Sequence, residues 1–270
     1  MTTFSSSASR RHPAPEVTTA FIRNRPRHLD QKVALVTGGA HGLGRHACGA
    51  LGWAGARVVV VDVDERGGDA VARAVGGAFD AADLSQSDAN HDVVAAAMER
   101  YGRLDLVHLG PSTAAEPLPA QDLEPLQYRE TMSTMVDRVM YGTQAALPAF
   151  EATGDGGAIV AASIGPSRAP TDVASDHALI GLARALAAAL APRQVRFNAV
   201  LPDVLARLTE STPVDDLYDN LVRTVASANA GDAVVALLAG EVSGECWLLR
   251  SFRDDAHPHA GGISGVRADA

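Results

Sequence analysis

The segment Thr37-Gly38-Gly39-Ala40-His41-Gly42-Leu43-Gly44 limits what this chain can fold into more than any other stretch. It follows the apolar, β-branched run Lys32–Thr37 (KVALVT) and opens a helical pattern over about 43–55. Glycines at such a junction permit a tight strand-to-helix turn and let a pyrophosphate approach the backbone. The helix N-terminus beyond them supplies free N–H groups and a favourable dipole for the anion. A second run, Arg57–Asp62 (RVVVVD), ends in a carboxylate 18 residues beyond Gly44. An acid in that place accepts hydrogen bonds from ribose hydroxyls and repels a 2′-phosphate, which favours NAD over NADP.

The rest of the chain repeats the strand-then-helix rhythm. Further strands are expected at Leu104–Leu109, Ala158–Ser163, Val195–Leu201 and Cys246–Leu249, with a weaker one near Ala78–Ala82. Helical patterns cover about 43–55, 64–75, 86–101, 122–151, 172–191 and 216–239. Continuous apolar strands alternating with helices describe a parallel sheet covered on both faces. Right-handed crossovers make it doubly wound, with ligands at the carboxyl ends of the strands. The expectation is one α/β domain over residues 31–252 with a parallel sheet of about seven strands. A Ser-, Arg- and Pro-rich flexible arm (1–30) precedes it, and a small, polar, mobile tail (253–270) follows.

Composition narrows the partners. A formal charge of -9 argues against nucleic acid, because phosphate binding needs clustered cations. No stretch approaches the ~18 consecutive apolar residues of a membrane span. The arm lacks the apolar core of a secretory signal. Cys48 and Cys246 stand far apart in apolar settings, as reduced core residues do, and no metal-ligand spacing is visible. These features describe a cytoplasmic protein that binds neither membrane nor metal. The pattern at 172–191 is apolar over most of a helix circumference, more than one sheet face needs. A second subunit is expected to cover it, giving a homodimer or homotetramer.

The loop TGGAHGLG is similar to the TGxxxGxG loop of short-chain dehydrogenases/reductases, and the similarity extends over roughly residues 32–250. Asp83-Leu84 resembles the family's adenine-contacting pair. QAALPAF (144–150), IGLARALAAAL (180–190) and VRFNAVLP (195–202) resemble family segments in the right order. The resemblance implies a Rossmann domain that holds NAD through Gly38, His41, Gly42, Leu43, Gly44, Asp62, Asp83 and Leu84, and that acts on a small molecule.

The catalytic half departs from the family. Its helix carries Tyr-x-x-x-Lys, with tyrosine as acid/base and lysine as ribose anchor. Here the corresponding positions are Asp172 and Asp176. Lys32 is the only lysine in the sequence, so none of Tyr101, Tyr128, Tyr141 and Tyr218 has a lysine four residues later. The Asn-Asn-Ala-Gly segment appears as Leu109-Gly110-Pro111-Ser112, and the helix asparagine falls at Met135. Ser163 alone matches a catalytic member. Asp172 and Asp176, at i and i+4, share a helix face. Partly buried like charges push one pKa up, which makes a general acid/base pair. A carboxylate beside the nicotinamide favours its oxidised, cationic form, so NAD is expected to bind without ready turnover. The plainer alternative is a solvated helix start, where acids suit the dipole.

Other residues read as structural. His108 lies in an apolar strand, His177 points about 100° away from Asp176 around its helix, and Met132, Met135, Val136, Val139 and Met140 form a stripe at helical spacing. Met135 is expected to face the cleft. Three functions remain open from the residues. The leading one is a redox-neutral acid/base enzyme carrying out isomerisation, dehydration or cyclisation with Asp172, Asp176 and Ser163. The alternatives are an unorthodox NAD-dependent oxidoreductase and a non-catalytic dinucleotide-binding subunit or sensor.

Overall fold

Alternate side chains of each strand point to opposite faces of the sheet, and here both sets are apolar. Val33, Leu35, Val59 and Val61 enter one core layer, whereas Ala34, Val36, Val58 and Val60 enter the other. A computed structural model describes residues 28–111, 124–163, 170–202, 222–225 and 230–249. The strands are β1 (Val33–Thr37), β2 (Arg57–Asp62), β3 (Ala78–Ala81), β4 (Leu106–Leu109), β5 (Gly157–Ala162), β6 (Val195–Pro202), β7 (Val222–Val225) and β8 (Cys246–Leu249). They form a single sheet in the order β3-β2-β1-β4-β5-β6-β8-β7, and every pair is parallel. The order reverses between β1 and β4, which opens a crevice at their carboxyl ends.

Helices cover both faces. α1 (Gly42–Trp53), α2 (Glu65–Val75) and α7 (Ala230–Ala239) share one side. On the other lie α3 (Ser87–Tyr101), α5 (Arg138–Thr153) and α6 (Pro170–Leu190). A short α4 (Pro125–Met132) and a π-helical turn at Ser133–Asp137 lead into α5. Local signals set several of these ends. Asp64 caps α2 by accepting from the Gly67 N–H at 3.0 Å, and Gly76 ends that helix at φ 67°.

Three expectations change. The expected parallel sheet of about seven strands is present with one strand more: residues 222–225 of the expected helix 216–239 form β7, and among the described residues of that range Ala230–Ala239 is helical. The run Val-Arg-Thr-Val is rich in β-branched residues, which suit an edge strand. The helix expected over 122–151 is broken in register by its π-turn. Counting uninterrupted apolar residues also missed that the helical stretch Pro170–Arg193 is long and apolar enough to cross a membrane by length and composition. One side of it packs on β6 through Leu179, Ile180 and Ala183. Nearly all of the N-terminal arm, the tail 253–270 and the segment Arg250-Ser251-Phe252 lie outside the described residues.

Candidate active site

The glycine loop lies where β1 hands over to α1, and close packing explains its composition. A Cβ on Gly44 would stand 2.1 Å from the Gly38 carbonyl oxygen, and one on Gly38 would stand 2.2 Å from that of Pro111. A Cβ on Gly42, the first residue of α1, would meet nothing within 4 Å. His41 is the N-cap of α1 and gives no side-chain capping bond. Uncapped N–H groups beside a Cβ-free surface suit a dinucleotide's pyrophosphate.

A cavity of about 450 Å³ opens at the carboxyl ends of β1 and β4. Thr37, Val63, Asp83, Leu84, Leu109 and Gly110 line it from the strand ends, and Glu130, Ser133, Thr134 and Arg138 from the α4–α5 segment. Thr37 ties β1 to β4 twice: its hydroxyl donates to the Gly110 carbonyl at 2.8 Å and accepts from the Gly110 N–H at 2.9 Å. Among the expected cofactor residues, Gly38 lies in the turn after β1, Gly42, Leu43 and Gly44 begin α1, and Asp83 and Leu84 border the cavity. Asp62 ends β2 as expected, but its carboxylate is fully buried and accepts from the Ala40 N–H at 3.0 Å.

On the other side of β4 the acids converge. Asp172 and Asp176 are buried on α6, and the Ser163 hydroxyl, just past β5, hydrogen bonds the Asp176 carboxylate. Burial raises the Asp176 pKa to about 6; the Ser163 bond pulls it down, and the neighbouring Asp172 charge pushes it up. The Thr171 hydroxyl lies 3.5 Å from Asp172 Oδ1, and the Ser175 hydroxyl donates to the Thr171 carbonyl at 2.8 Å. These acids are therefore not a solvated helix start. His177 is exposed and its Nδ1 lies 2.8 Å from the Val173 carbonyl.

Arg138 is the residue that sequence reading missed. It is buried at the head of α5, and its two terminal nitrogens donate to the Leu109 and Ala162 carbonyls, each at 2.7 Å. It thereby clamps the ends of β4 and β5, the latter one residue before Ser163. Loss of hydration lowers its pKa to about 9. A charged pair, Asp137-Arg138, inside the apolar stripe Met-Val-Asp-Arg-Val-Met was the available signal. Met135, expected to face the cleft, is instead buried in the core and does not line the cavity.

The model of the short chain dehydrogenase family matches residues 32–214. This chain belongs to that family. Within it, Short-chain dehydrogenase reductase 3a of Arabidopsis thaliana is 30% identical over 240 residues, covering 85% of this chain and 91% of the relative. D-threitol dehydrogenase of Mycolicibacterium smegmatis is 33% identical over 195 residues, covering 67% and 72% respectively. The crystal structure of a protein assigned as a short-chain alcohol dehydrogenase from Sinorhizobium meliloti 1021 superposes with a TM-score of 0.64 at 26% identity. That match covers 83% of this chain and 96% of the other. The short-chain dehydrogenase relatives carry their names as oxidoreductases of small molecules, and members of the family bind NAD(P).

Proposed function

We propose that this chain is an NAD-preferring oxidoreductase of a small hydroxyl- or carbonyl-bearing molecule, with Ser163 and Asp176 as its proton-handling group. The observation that carries this reading is the buried Ser163–Asp176 hydrogen bond at the carboxyl end of β5, at the same edge of the sheet as the glycine loop that follows β1. The redox-neutral reading gives way because the relatives at comparable coverage are dehydrogenases and reductases.

The chain's own residues divide the work. Asp176, ionised above about pH 6, accepts a proton relayed from the substrate hydroxyl through the Ser163 hydroxyl, and returns it in the opposite direction. Burial, with the Asp172 charge adding to it, keeps the Asp176 pKa up, close to the operating range of a general base. Arg138 fixes the β5 end that presents Ser163. When bound, the nicotinamide supplies the hydride acceptor or donor. Gly38, His41, Gly42, Leu43, Gly44, Asp83 and Leu84 would hold the dinucleotide, and the buried Asp62 would support the loop through the Ala40 N–H. Carboxylates at the end of β2 support NAD over NADP. The alanines Ala185, Ala188 and Ala189 on the exposed side of α6 support a homodimer or homotetramer, in keeping with a cytoplasmic enzyme.

The test is incubation of the full chain with NAD⁺ and a panel of polyols and secondary alcohols, following reduced nicotinamide by absorbance and products by mass spectrometry. Formation of reduced nicotinamide that disappears in Asp176→Asn supports the reading. A product isomeric with its substrate, formed with no reduced nicotinamide, would restore the redox-neutral reading. Binding of NAD⁺ with no product from any substrate would favour a sensor or subunit.

A further inference from the structure

A carboxylate that takes a proton inside a protein must also lose it to water once in every turnover. Asp176 is only 4% exposed, and the Ser163 hydroxyl is bonded to its carboxylate. Among the described residues, three titratable groups interact with it: Asp172, His177 and Cys246. The Cys246 thiol on β8 is buried, and burial pushes its pKa up, so it keeps its proton and relays none. His177 is exposed but lies about 100° around the helix from Asp176. Its Nδ1 turns back to the Val173 carbonyl at 2.8 Å. Asp172 lies one turn earlier on the same face as Asp176 and is 9% exposed. Pro170, which begins α6 two residues before Asp172, is exposed. The Thr171 hydroxyl donates to Asp172 Oδ1 at 3.5 Å. Farther along the same face, the Ser175 hydroxyl is committed to the Thr171 carbonyl at 2.8 Å and lies 3.8 Å from Met132 Sδ. Neutral groups therefore close that side, and Asp172 is the ionisable group between Asp176 and the exposed start of α6.

We propose that Asp172 is the proton exit of this site: it takes the proton that Asp176 gains in each turnover and passes it to water at the start of α6. The inference rests on the oxidoreductase reading above. In the oxidising direction the substrate O–H bond breaks and its proton reaches Ser163 Oγ, while the proton of Ser163 moves to Asp176. The C–H electron pair leaves as hydride to the nicotinamide, so each turnover leaves one proton on Asp176. Transfer onward breaks that O–H bond and forms one on the Asp172 carboxylate, from which water takes the proton. Two carboxylates on adjacent turns hold one proton between them more easily than none, because it relieves their repulsion. The same steps run backwards in reduction.

The test follows reduced nicotinamide formed by the full chain from NAD⁺ and the best substrate of the alcohol panel. It is run in imidazole and in a bulky sulfonate buffer of similar pKa. Asp172→Asn is expected to lower steady-state turnover by about tenfold or more in the bulky buffer. Imidazole should restore it to within about threefold, because a small base can reach Asp176 and take the proton. Asp172→Glu keeps a carboxylate and should need no imidazole, and the unaltered chain should respond alike to both buffers. Should Asp172→Asn fold poorly, Asp172→Ser gives the same comparison. A purely structural or electrostatic role for Asp172 gives a loss that imidazole does not restore, and that result overturns the inference. Turnover of Asp172→Asn within about threefold of the unaltered chain in the bulky buffer overturns it as well. So does an imidazole-restored loss in His177→Gln, which would move the exit to the outer face of α6. If the unaltered chain forms no reduced nicotinamide from any alcohol, the oxidoreductase reading itself fails, and the exit falls with it.

Discussion

The Ser163 hydroxyl and the Asp176 carboxylate meet in a hydrogen bond where the end of β5 faces α6. This contact joins a loop residue to a helix residue 13 positions later, and it places a group titrating at about 6 at the carboxyl end of β5. Carboxyl pKa values raised by burial and a charged neighbour cluster at functional sites.

Asp176→Asn should therefore trade activity for stability. The native pKa, about 6, lies above the unfolded carboxyl value, so between about pH 4 and 6 the folded chain holds a proton that the unfolded chain has lost. Stability then falls as pH rises through this window, and the penalty is fully present above about pH 6. Asparagine removes it. The variant should be more stable by up to about 2–3 kcal/mol near pH 8, with no gain near pH 3.5, by urea unfolding. Turnover should drop by about 10²-fold or more. A variant that is less stable at pH 8 would mean that the Asp176 charge is satisfied in the fold.

The glycine loop offers a paired comparison on one helix. Gly44→Ala places its methyl against the Gly38 carbonyl, so the loop must shift; a loss of about 1–3 kcal/mol and weakened NAD⁺ binding are expected. Gly49→Ala, in the interior of the same helix, meets nothing within 4 Å and should stabilise by about 0.5–1 kcal/mol. Thermal melts with and without NAD⁺ check both. Equal effects at the two positions would show that the close approach at Gly44 carries no weight.

Much of this architecture was legible because β1 and β2 advertise themselves by β-branched runs and the long helices by their length. The strands β1 and β2 and the helices α1 to α3 fall within a few residues of their expected ranges. The dinucleotide loop was legible for the same reason, since its glycines serve local backbone needs. What sequence could not give were contacts between distant segments. Nothing in the residues around 222 announces that they pair with β8. Nothing in the Asp62 run reveals that its carboxylate turns inward to Ala40 while Asp64 stays outside. Arg138 reaching the carbonyls of two strands is likewise a property of the assembled sheet. The i, i+4 placement of Asp172 and Asp176 did foretell one raised pKa, although burial rather than mutual repulsion is its larger cause.

His108 predicts acid sensitivity. Its ring is fully buried on β4, and burial, with the Arg138 charge second, lowers its pKa to about 4. Between about pH 6.5 and 4 the unfolded chain takes up a proton that the folded chain refuses, so stability is full above the unfolded value and falls as pH drops. The loss attributable to this residue approaches about 3 kcal/mol. His108→Leu, measured beside the unaltered chain by urea unfolding at about pH 7 and about pH 4.5, should lose less stability between the two. Parallel losses would remove His108 from the account of acid unfolding.

At the opposite end of the sheet, Asp105 gathers the only lysine of the chain. Its carboxylate accepts from Lys32 Nζ at 2.9 Å, from Arg103 Nε at 2.8 Å and from the Val33 N–H at 2.9 Å. Burial pushes its pKa up, but Arg103, Lys32 and the Val33 N–H together outweigh this and hold it below the usual value. The stabilisation is thus present above the unfolded carboxyl value and disappears as pH falls below it. Asp105→Asn should cost about 1–3 kcal/mol near pH 7 and less near pH 3, because Lys32 and Arg103 are about one-third exposed and recover hydration. Lys32→Arg should keep the ion pair and leave both NAD⁺ affinity and turnover unchanged. A lysine bound at the amino end of β1 cannot reach Ser163 at the carboxyl end of β5. A marked fall in turnover with stability intact would mean that this amine does serve the cleft, and that the acid-based site is incomplete.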